Sequence, residues 1–457
     1  METIFAPICA LGGSIVSVRF SGENVFDVLD FFYISSDIYK KKDLFFTTLR
    51  YKDSNIKDSN NLKILDEVII KIFRGKNSFT GENVIEIDLH SNKLILEEFL
   101  QLVSSIPNFR FAKNGEFSRR AFLNGKINLI KSEGINAIIR SETKQQQLLA
   151  NDMFYGKVNK EYQNIRNKLI EAMSYVETQI DFAEEDVPQN VIDSVKSITK
   201  DLIKKISTCL EDKKAIDKIN QGIIISIIGK PNVGKSSLLN WLAKREVAIV
   251  SPIEGTTRDL ISVDIDIDGY KTTFYDTAGI RDTEDLIEKE GVRRAKNISE
   301  NSDLCIFICD NFNDVVNAIE ERKKYNNDCI FVLNKIDIQN NNEFDEKKYK
   351  ILKEYQDSVM KISVLNNTNL NILMKKIRDI VIKQVELKSQ PIVLNERYSI
   401  LLNRCVSHLK NIDFETLPIE LIGEELRLAI EDIGQITGQI YTDDILDNIF
   451  NKFCIGK

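Results

Sequence analysis

Gly229 to Ser236, GKPNVGKS, match the pattern G-x-x-x-x-G-K-[ST] directly after the apolar run GIIISII and directly before SSLLNWLAKR. Glycines at this spacing let backbone N–H groups curl around phosphate oxygens, and a helix starting there adds favourable partial charge. Lys235 would neutralise β- and γ-phosphates and Ser236 would ligate Mg²⁺, with Asn232, Val233, Gly234 and Ser237 completing the cradle. Further on, Asp276-Thr277-Ala278-Gly279 place an aspartate to hold the magnesium water and a Gly N–H to sense a γ-phosphate. Asn334-Lys335-Ile336-Asp337 close another apolar run. The Asp337 carboxylate can accept from both N1–H and N2–H of guanine, a donor pair that adenine lacks. Ser363, in ISVLNN, fits the last base-contacting loop, with Val364 where alanine is usual. Three motifs in this order point to GTP with Mg²⁺.

Between them lies SPIEGTTRDL. Thr257 is the expected switch threonine, its hydroxyl on Mg²⁺ when the γ-phosphate is present, and Ser251, Pro252, Ile253, Glu254, Gly255 and Thr256 line the same loop. One group is missing. In many GTPases the residue after Asp-x-x-Gly is a glutamine that orients the attacking water, and here it is Ile280. The following stretch carries Asp282, Glu284, Asp285, Glu288 and Glu290. Most of these are the solvated face of a switch loop, but one folded over the phosphate could orient or deprotonate water.

The elements around these motifs form an alternating series. GIIISIIGK, the hairpin-like LISVDIDIDGYKTTFYDTAG around Asp268-Gly269, LCIFICD, CIFVLNKID and VMKISV read as strands separated by helix-length segments. That predicts a doubly wound α/β domain over residues 218–380. Residues 1–120 mix short β-branched runs such as GSIVSVRFSG and NVIEIDLHS with turns, an α+β domain. From about Phe122 apolar residues recur at helical spacing, and they do so again after Val381. Near the end Thr442 is a candidate N-cap for a helix whose apolar stripe is Ile445, Leu446, Ile449, Phe450 and Phe453. The simplest architecture has one discontinuous helical domain, residues 121–217 and 381–457, with the α/β domain inserted in it.

The chain of 457 residues is 43% hydrophobic and 29% charged, ordinary for globular protein. No run reaches the roughly 20 apolar residues of a membrane span, and METIFAPICALGG lacks a signal peptide's basic region and long apolar core, so the cytoplasm is expected. Seven scattered cysteines form no disulfide framework, and Cys305 and Cys309 read as small buried hydrophobes in a strand. With no Cys-x-x-Cys and only His90 and His408, the sequence argues against a zinc site. The net charge of −7 argues against a non-specific nucleic-acid coat but allows a local basic patch.

At this point the chain resembles the MnmE (TrmE) family of tRNA modification GTPases along essentially its whole length. The motifs that carry the resemblance are TGENVIEI, NGEFSRRAFLNGK, GKPNVGKSSLLN, EGTTRD, DTAGIRD, TGQIYTDDILDNIF and the terminal FCIGK. A generic small GTPase shares only the middle three. The resemblance implies modification of the wobble uridine, position 34, with aminomethyl-type or carboxymethylaminomethyl groups, in partnership with the flavoprotein MnmG (GidA). It implies a homodimer whose meeting G domains order the switches. It also implies K⁺ in place of an arginine finger, held by Asn232, main-chain oxygens of Ser251 and Ile253, and Thr256. Glu288 then replaces the missing glutamine as the water-positioning catalytic residue. In the N-terminal domain it implies a reduced folate, 5,10-methylene- or 5-formyl-tetrahydrofolate, held by Arg19, Glu82, Lys126 and Lys457. By residue type alone Arg19, Glu82 and Lys126 would be surface salt-bridge partners. Cys454, also a candidate catalytic residue, is either a small buried residue or a thiol at the folate or uridine chemistry.

The chain departs from the family pattern at Ile8-Cys9-Ala10-Leu11 (usually Thr-Pro-x-Gly), His90-Ser91-Asn92-Lys93 (usually His-Gly-Gly-Pro), Asn114 (usually Pro) and Asn128 (usually Asp). Losing glycines in two loops changes how closely backbone can approach a ligand. Two other readings compete. A ribosome-assembly GTP switch would carry a basic RNA-binding module, which is not evident. A regulatory GTPase that only docks proteins leaves the N-terminal domain and the tail without a task.

Overall fold

A computed structural model describes residues 2–52, 62–181, 190–245, 262–276, 300–322, 327–338 and 359–457. The chain divides into two compact units, one of residues 1–136, 152–174 and 426–457, the other of residues 137–151 and 175–425.

The first unit is built on a six-stranded sheet of β1 (Thr3–Pro7), β2 (Ile15–Ser21), β3 (Leu44–Lys52), β4 (Leu62–Phe73), β5 (Val84–His90) and β6 (Phe109–Phe111), in the order β3-β4-β5-β2-β1-β6. All pairings are antiparallel except β1 with β6. Phe5, Val18, Phe20, Ile70, Ile85 and Ile87 bury one face against the helix Lys93–Ser104, whose Phe99 and Val103 are buried. That helix is an addition to the sequence reading, which had strands and turns in this region. Its start is fixed by Asn92, whose side-chain oxygen accepts from the backbone N–H groups of Leu94 (2.8 Å) and Ile95 (3.4 Å). Asn92, which stands where the family pattern has a glycine, thus acts as an N-cap.

The C-terminal helix Asp443–Phe450 begins as expected, with the Thr442 side chain accepting from Ile445 N–H at 3.4 Å. Leu446, Ile449, Phe450 and Phe453 are buried with Phe122 and Leu129, and Ile445 packs beside them. Gly115, at φ 64°, makes room for this segment, because a Cβ there would lie 2.5 Å from the Phe450 carbonyl oxygen and 3.0 Å from Phe453 Cβ. The terminal residues are therefore seated rather than loose.

The second unit holds another six-stranded sheet: β7 (Ile223–Ile228), β8 (Ser262–Ile267), β9 (Tyr270–Asp276), β10 (Leu304–Cys309), β11 (Asp328–Leu333) and β12 (Val359–Lys361), in the order β12-β11-β10-β7-β9-β8. Only β8 runs antiparallel, joined to β9 through Asp268 (φ 53°) and Gly269 (φ 86°), the two positive φ values a tight hairpin turn demands. All six residues of β10 are buried, as a strand covered on both faces requires. The helical stretch before this sheet is broken into Leu129–Arg140, Lys144–Phe154, Lys157–Asp181, Asn190–Glu211 and Lys213–Gln221, with Gly156 at φ 85° marking one break.

Candidate functional site

In an open parallel sheet, ligands collect beyond the carboxyl ends of the strands. Here β7, β10 and β11 are parallel neighbours, so the P-loop, Asp310 and Asn334 emerge side by side. The pairing of β9 with β7 sets Asp276 opposite Ile227, two residues before Gly229. Gly229 must lack a side chain, because its Cβ would fall on the Ile308 carbonyl oxygen. Gly234, at φ 107°, faces the Asn334 side chain in the same way. Asn232 adopts φ 63° and is exposed, as is Ser237, while Val233 is buried.

Lys235 opens the helix Lys235–Arg245. Its Nζ donates to the Gly229 and Lys230 carbonyls, each at 2.6 Å, so the ammonium lies inside the loop's own curl. Burial lowers its pKa, against which the Asp276 charge works in the opposite sense. Ser236 Oγ donates to Asp276 Oδ2 at 2.8 Å. A hydroxyl and a carboxylate in contact at the head of a phosphate loop are a hard-oxygen donor set that fits Mg²⁺.

The Asn334-Lys335-Ile336-Asp337 motif is braced from behind. Asn334, only 3% exposed, donates through Nδ2 to the Val233 carbonyl at 2.8 Å and accepts at Oδ1 from Val364 N–H at 3.1 Å. One side chain thus ties the P-loop to the Ser363 loop. Ser363 is itself buried and its Oγ accepts from Asn366 N–H. Lys335, at φ 61°, pairs with Asp310 at 3.2 Å, and Asp337 is exposed. Asp310 was not foreseen. Its signal was a lone acid at the end of an all-apolar run. Ser251, Pro252, Ile253, Glu254, Gly255, Thr256, Thr257, Thr277, Ala278, Gly279 and Glu288 lie outside the described residues.

In the first unit Arg19 and Glu82 are only 16% exposed at the side chain, not the surface partners that residue type suggests. Arg19 pairs with Glu86 at 2.8 Å and stacks over the Phe79 and Phe117 rings. Glu82 accepts from Ser21 Oγ at 2.6 Å and from Arg120 at 3.0 Å. Arg120 also reaches Glu116, which holds Arg110 through two hydrogen bonds of 2.7 and 2.8 Å. Burial alone would raise the Glu116 pKa, but the Arg110 fork and the Lys113 N–H bring it down to about 2. Neither Glu116 nor Arg120 was singled out from sequence, although both stand in the quoted NGEFSRRAFLNGK. Lys126 lies across Gly81, next to Glu82, and its Nζ donates to the Lys76 carbonyl.

The tail comes to the same strands. Gly456, at φ 92°, abuts the Pro7 carbonyl, and Gly115 N–H donates to the Cys454 carbonyl at 3.4 Å. Arg19 is paired with Ala6, one residue from Pro7. Cys454 is exposed, which removes the reading of it as a small buried residue.

A phosphate loop, a strand-end aspartate beside it and a braced Asn-Lys-x-Asp define a P-loop GTPase. Two family models cover nearly the whole chain, one described as "GTP-binding protein TrmE N-terminus" over residues 3–126 and one as "MnmE helical domain" over residues 129–454. Proteins named "tRNA modification GTPase MnmE" match end to end. The one from Rickettsia canadensis (strain McKiel) is 36% identical over 468 residues, and the one from Ehrlichia canis (strain Jake) 38% over 460, each covering 100% of both chains. A solved structure of Aquifex aeolicus Era bound to GDP.AlF4- aligns with 42% of this chain and 68% of that one, at 27% identity and a TM-score of 0.26. The chain belongs to the MnmE family. Among the described residues no helix is long and apolar enough to cross a membrane.

Proposed function

We propose that this chain is a cytoplasmic GTP hydrolase of tRNA modification, acting at C5 of the wobble uridine together with the flavoprotein MnmG and as a homodimer. The observation that supports it most is the convergence of Lys235, the Ser236–Asp276 pair and the Asn334 brace at one end of a parallel sheet, in a chain matched end to end by the family. Lys235 holds the β- and γ-phosphates. Ser236, with Thr257, would hold Mg²⁺, which offsets phosphate charge when bound. Asn232, Ser251, Ile253 and Thr256 would hold K⁺, and Glu288 positions the attacking water in place of a glutamine. Asp337 selects guanine.

Residues 1–120 form the folate-binding and dimerising domain in this reading, residues 121–217 and 381–457 the helical domain, and residues 218–380 the G domain. A reduced folate supplies the one-carbon unit. The half-buried charges of Arg19 and Glu82, with Lys126 beside Glu82, are polar groups suited to a pteridine and a glutamate carboxylate, and Lys457 follows Gly456, which abuts Pro7. Cys454 presents an exposed thiol in the same tail.

The test is the wobble-uridine content of tRNA, measured by nucleoside mass spectrometry in cells lacking their own copy. The full chain should restore the modification and Lys235→Ala should not. Restoration by Lys235→Ala would separate modification from GTP turnover and sink the proposal.

A further inference from the structure

Cys305 is the second residue of the buried β10 and Cys329 the second of β11, and the two are directly paired in the parallel register. Residues paired across neighbouring strands sit about 4.8 Å apart. That falls inside the roughly 4.4–6.8 Å Cα separation that a disulfide spans. In a parallel pair both side chains leave the sheet on the same face, and here they share a cluster with Phe307, Cys309 and Phe331. The Cys329 thiol donates to the Asn327 carbonyl at 3.4 Å. Two hydroxyls converge on the inner sulfur: Ser226 Oγ donates to Cys305 Sγ at 3.3 Å, and Ser302 Oγ lies 3.2 Å from it. Cys305 is fully buried, whereas Cys329 is only partly so. Cys329 is therefore the residue of the pair nearer to solvent, with Cys305 the more deeply buried partner.

We propose that Cys305 and Cys329 are a reversible dithiol–disulfide site whose oxidant is a small peroxide. Cys329 attacks one peroxide oxygen, breaking the O–O bond, and becomes a sulfenic acid as water leaves. Cys305 then attacks the Cys329 sulfur, forming the S–S bond and expelling the hydroxyl, which takes up the remaining thiol proton as a second water. Two thiols are oxidised and one peroxide is reduced to two waters. The bond would lock β10 to β11, the strands that deliver Asp310 and Asn334 to the nucleotide site.

The experiment exposes the purified full chain to hydrogen peroxide, blocks remaining thiols, digests it and maps the peptides by mass spectrometry. The expected product is a linked peptide containing Cys305 and Cys329, about 2 Da lighter than its two halves and abolished by dithiothreitol. In Cys305→Ser the Cys329 sulfenic acid should persist and be trapped by dimedone. Two results would overturn the site. One is wild-type Cys329 accumulating sulfinic acid or dimedone adduct without the linked peptide. The other is both thiols remaining alkylatable once the exposed Cys9 and Cys454 have been consumed.

Discussion

Asp337→Asn isolates the base-reading half of the site. Asp337 is exposed beyond the braced Asn334 and the paired Lys335, so the hydrogen bonds proposed for it to guanine would form in contact with water. Each then counts at the low end for a charged acceptor, about 1.5 kcal/mol. Losing both costs about 3 kcal/mol, or roughly 150-fold in Kd. The asparagine amide brings a donor where the carboxylate had only acceptors. Xanthine carries an oxygen at C2 where guanine carries an amine, so the variant should prefer xanthosine nucleotides. Titration with fluorescent GDP and XDP reads both changes, and thermal unfolding without nucleotide checks the fold. GDP affinity should fall roughly 150-fold while XDP affinity rises by a comparable factor. A GDP affinity within about threefold of wild type would remove Asp337 from base recognition. So would a loss for GDP with no gain for XDP.

Gly229→Ala should weaken GDP binding at least about tenfold in the same titration, because the new Cβ must displace the Ile308 carbonyl or the P-loop itself; unchanged affinity would show that the loop tolerates the shift. Asn334→Ala strands the Val233 carbonyl and the Val364 N–H and should lower stability by about 2–4 kcal/mol in chemical denaturation. Glu116 has a native pKa near 2, below its ordinary value of 4.5. Its stabilisation is therefore complete above about pH 4.5 and is lost as pH falls towards 2. Glu116→Gln should flatten the acid side of the stability curve, and a curve that keeps its slope would place the acid sensitivity elsewhere. Phe453→Ala removes the buried anchor of the tail at a cost of about 3–5 kcal/mol, and carboxypeptidase should then trim FCIGK faster than in the wild type. Equal trimming would mean that Gly115 and Gly456 seat the tail without it.

The nucleotide half of the fold was legible because it is local. β7, β10 and β11 are almost wholly apolar runs, Asp268-Gly269 is a turn by backbone chemistry alone, and the GKPNVGKS, DTAG and NKID spacings fix their places at strand ends. The Thr442 cap and the stripe through Phe453 were legible for the same reason. The helix Lys93–Ser104 was not read, since LILEEFLQLV is too apolar to separate strand from helix without its Asn92 cap. Nor was the ion network, because Arg120 finds Glu82 across 38 positions and no local pattern announces such a partner. The burial of Arg19 and the seating of Gly456 on Pro7 likewise depend on the pairing of β1 with β2 and not on residue type. The switch residues, Glu288 among them, lie outside the described residues, so their roles stand on the family resemblance.

The central claim is that this chain hydrolyses GTP at a site that a potassium ion completes. It is tested most directly by steady-state GTP hydrolysis in matched KCl and NaCl, with Lys235→Ala as the control. The account predicts much faster turnover in KCl, abolished by Lys235→Ala. Equal, slow rates in both salts would contradict it and leave a guanine-nucleotide switch that depends on an outside activator.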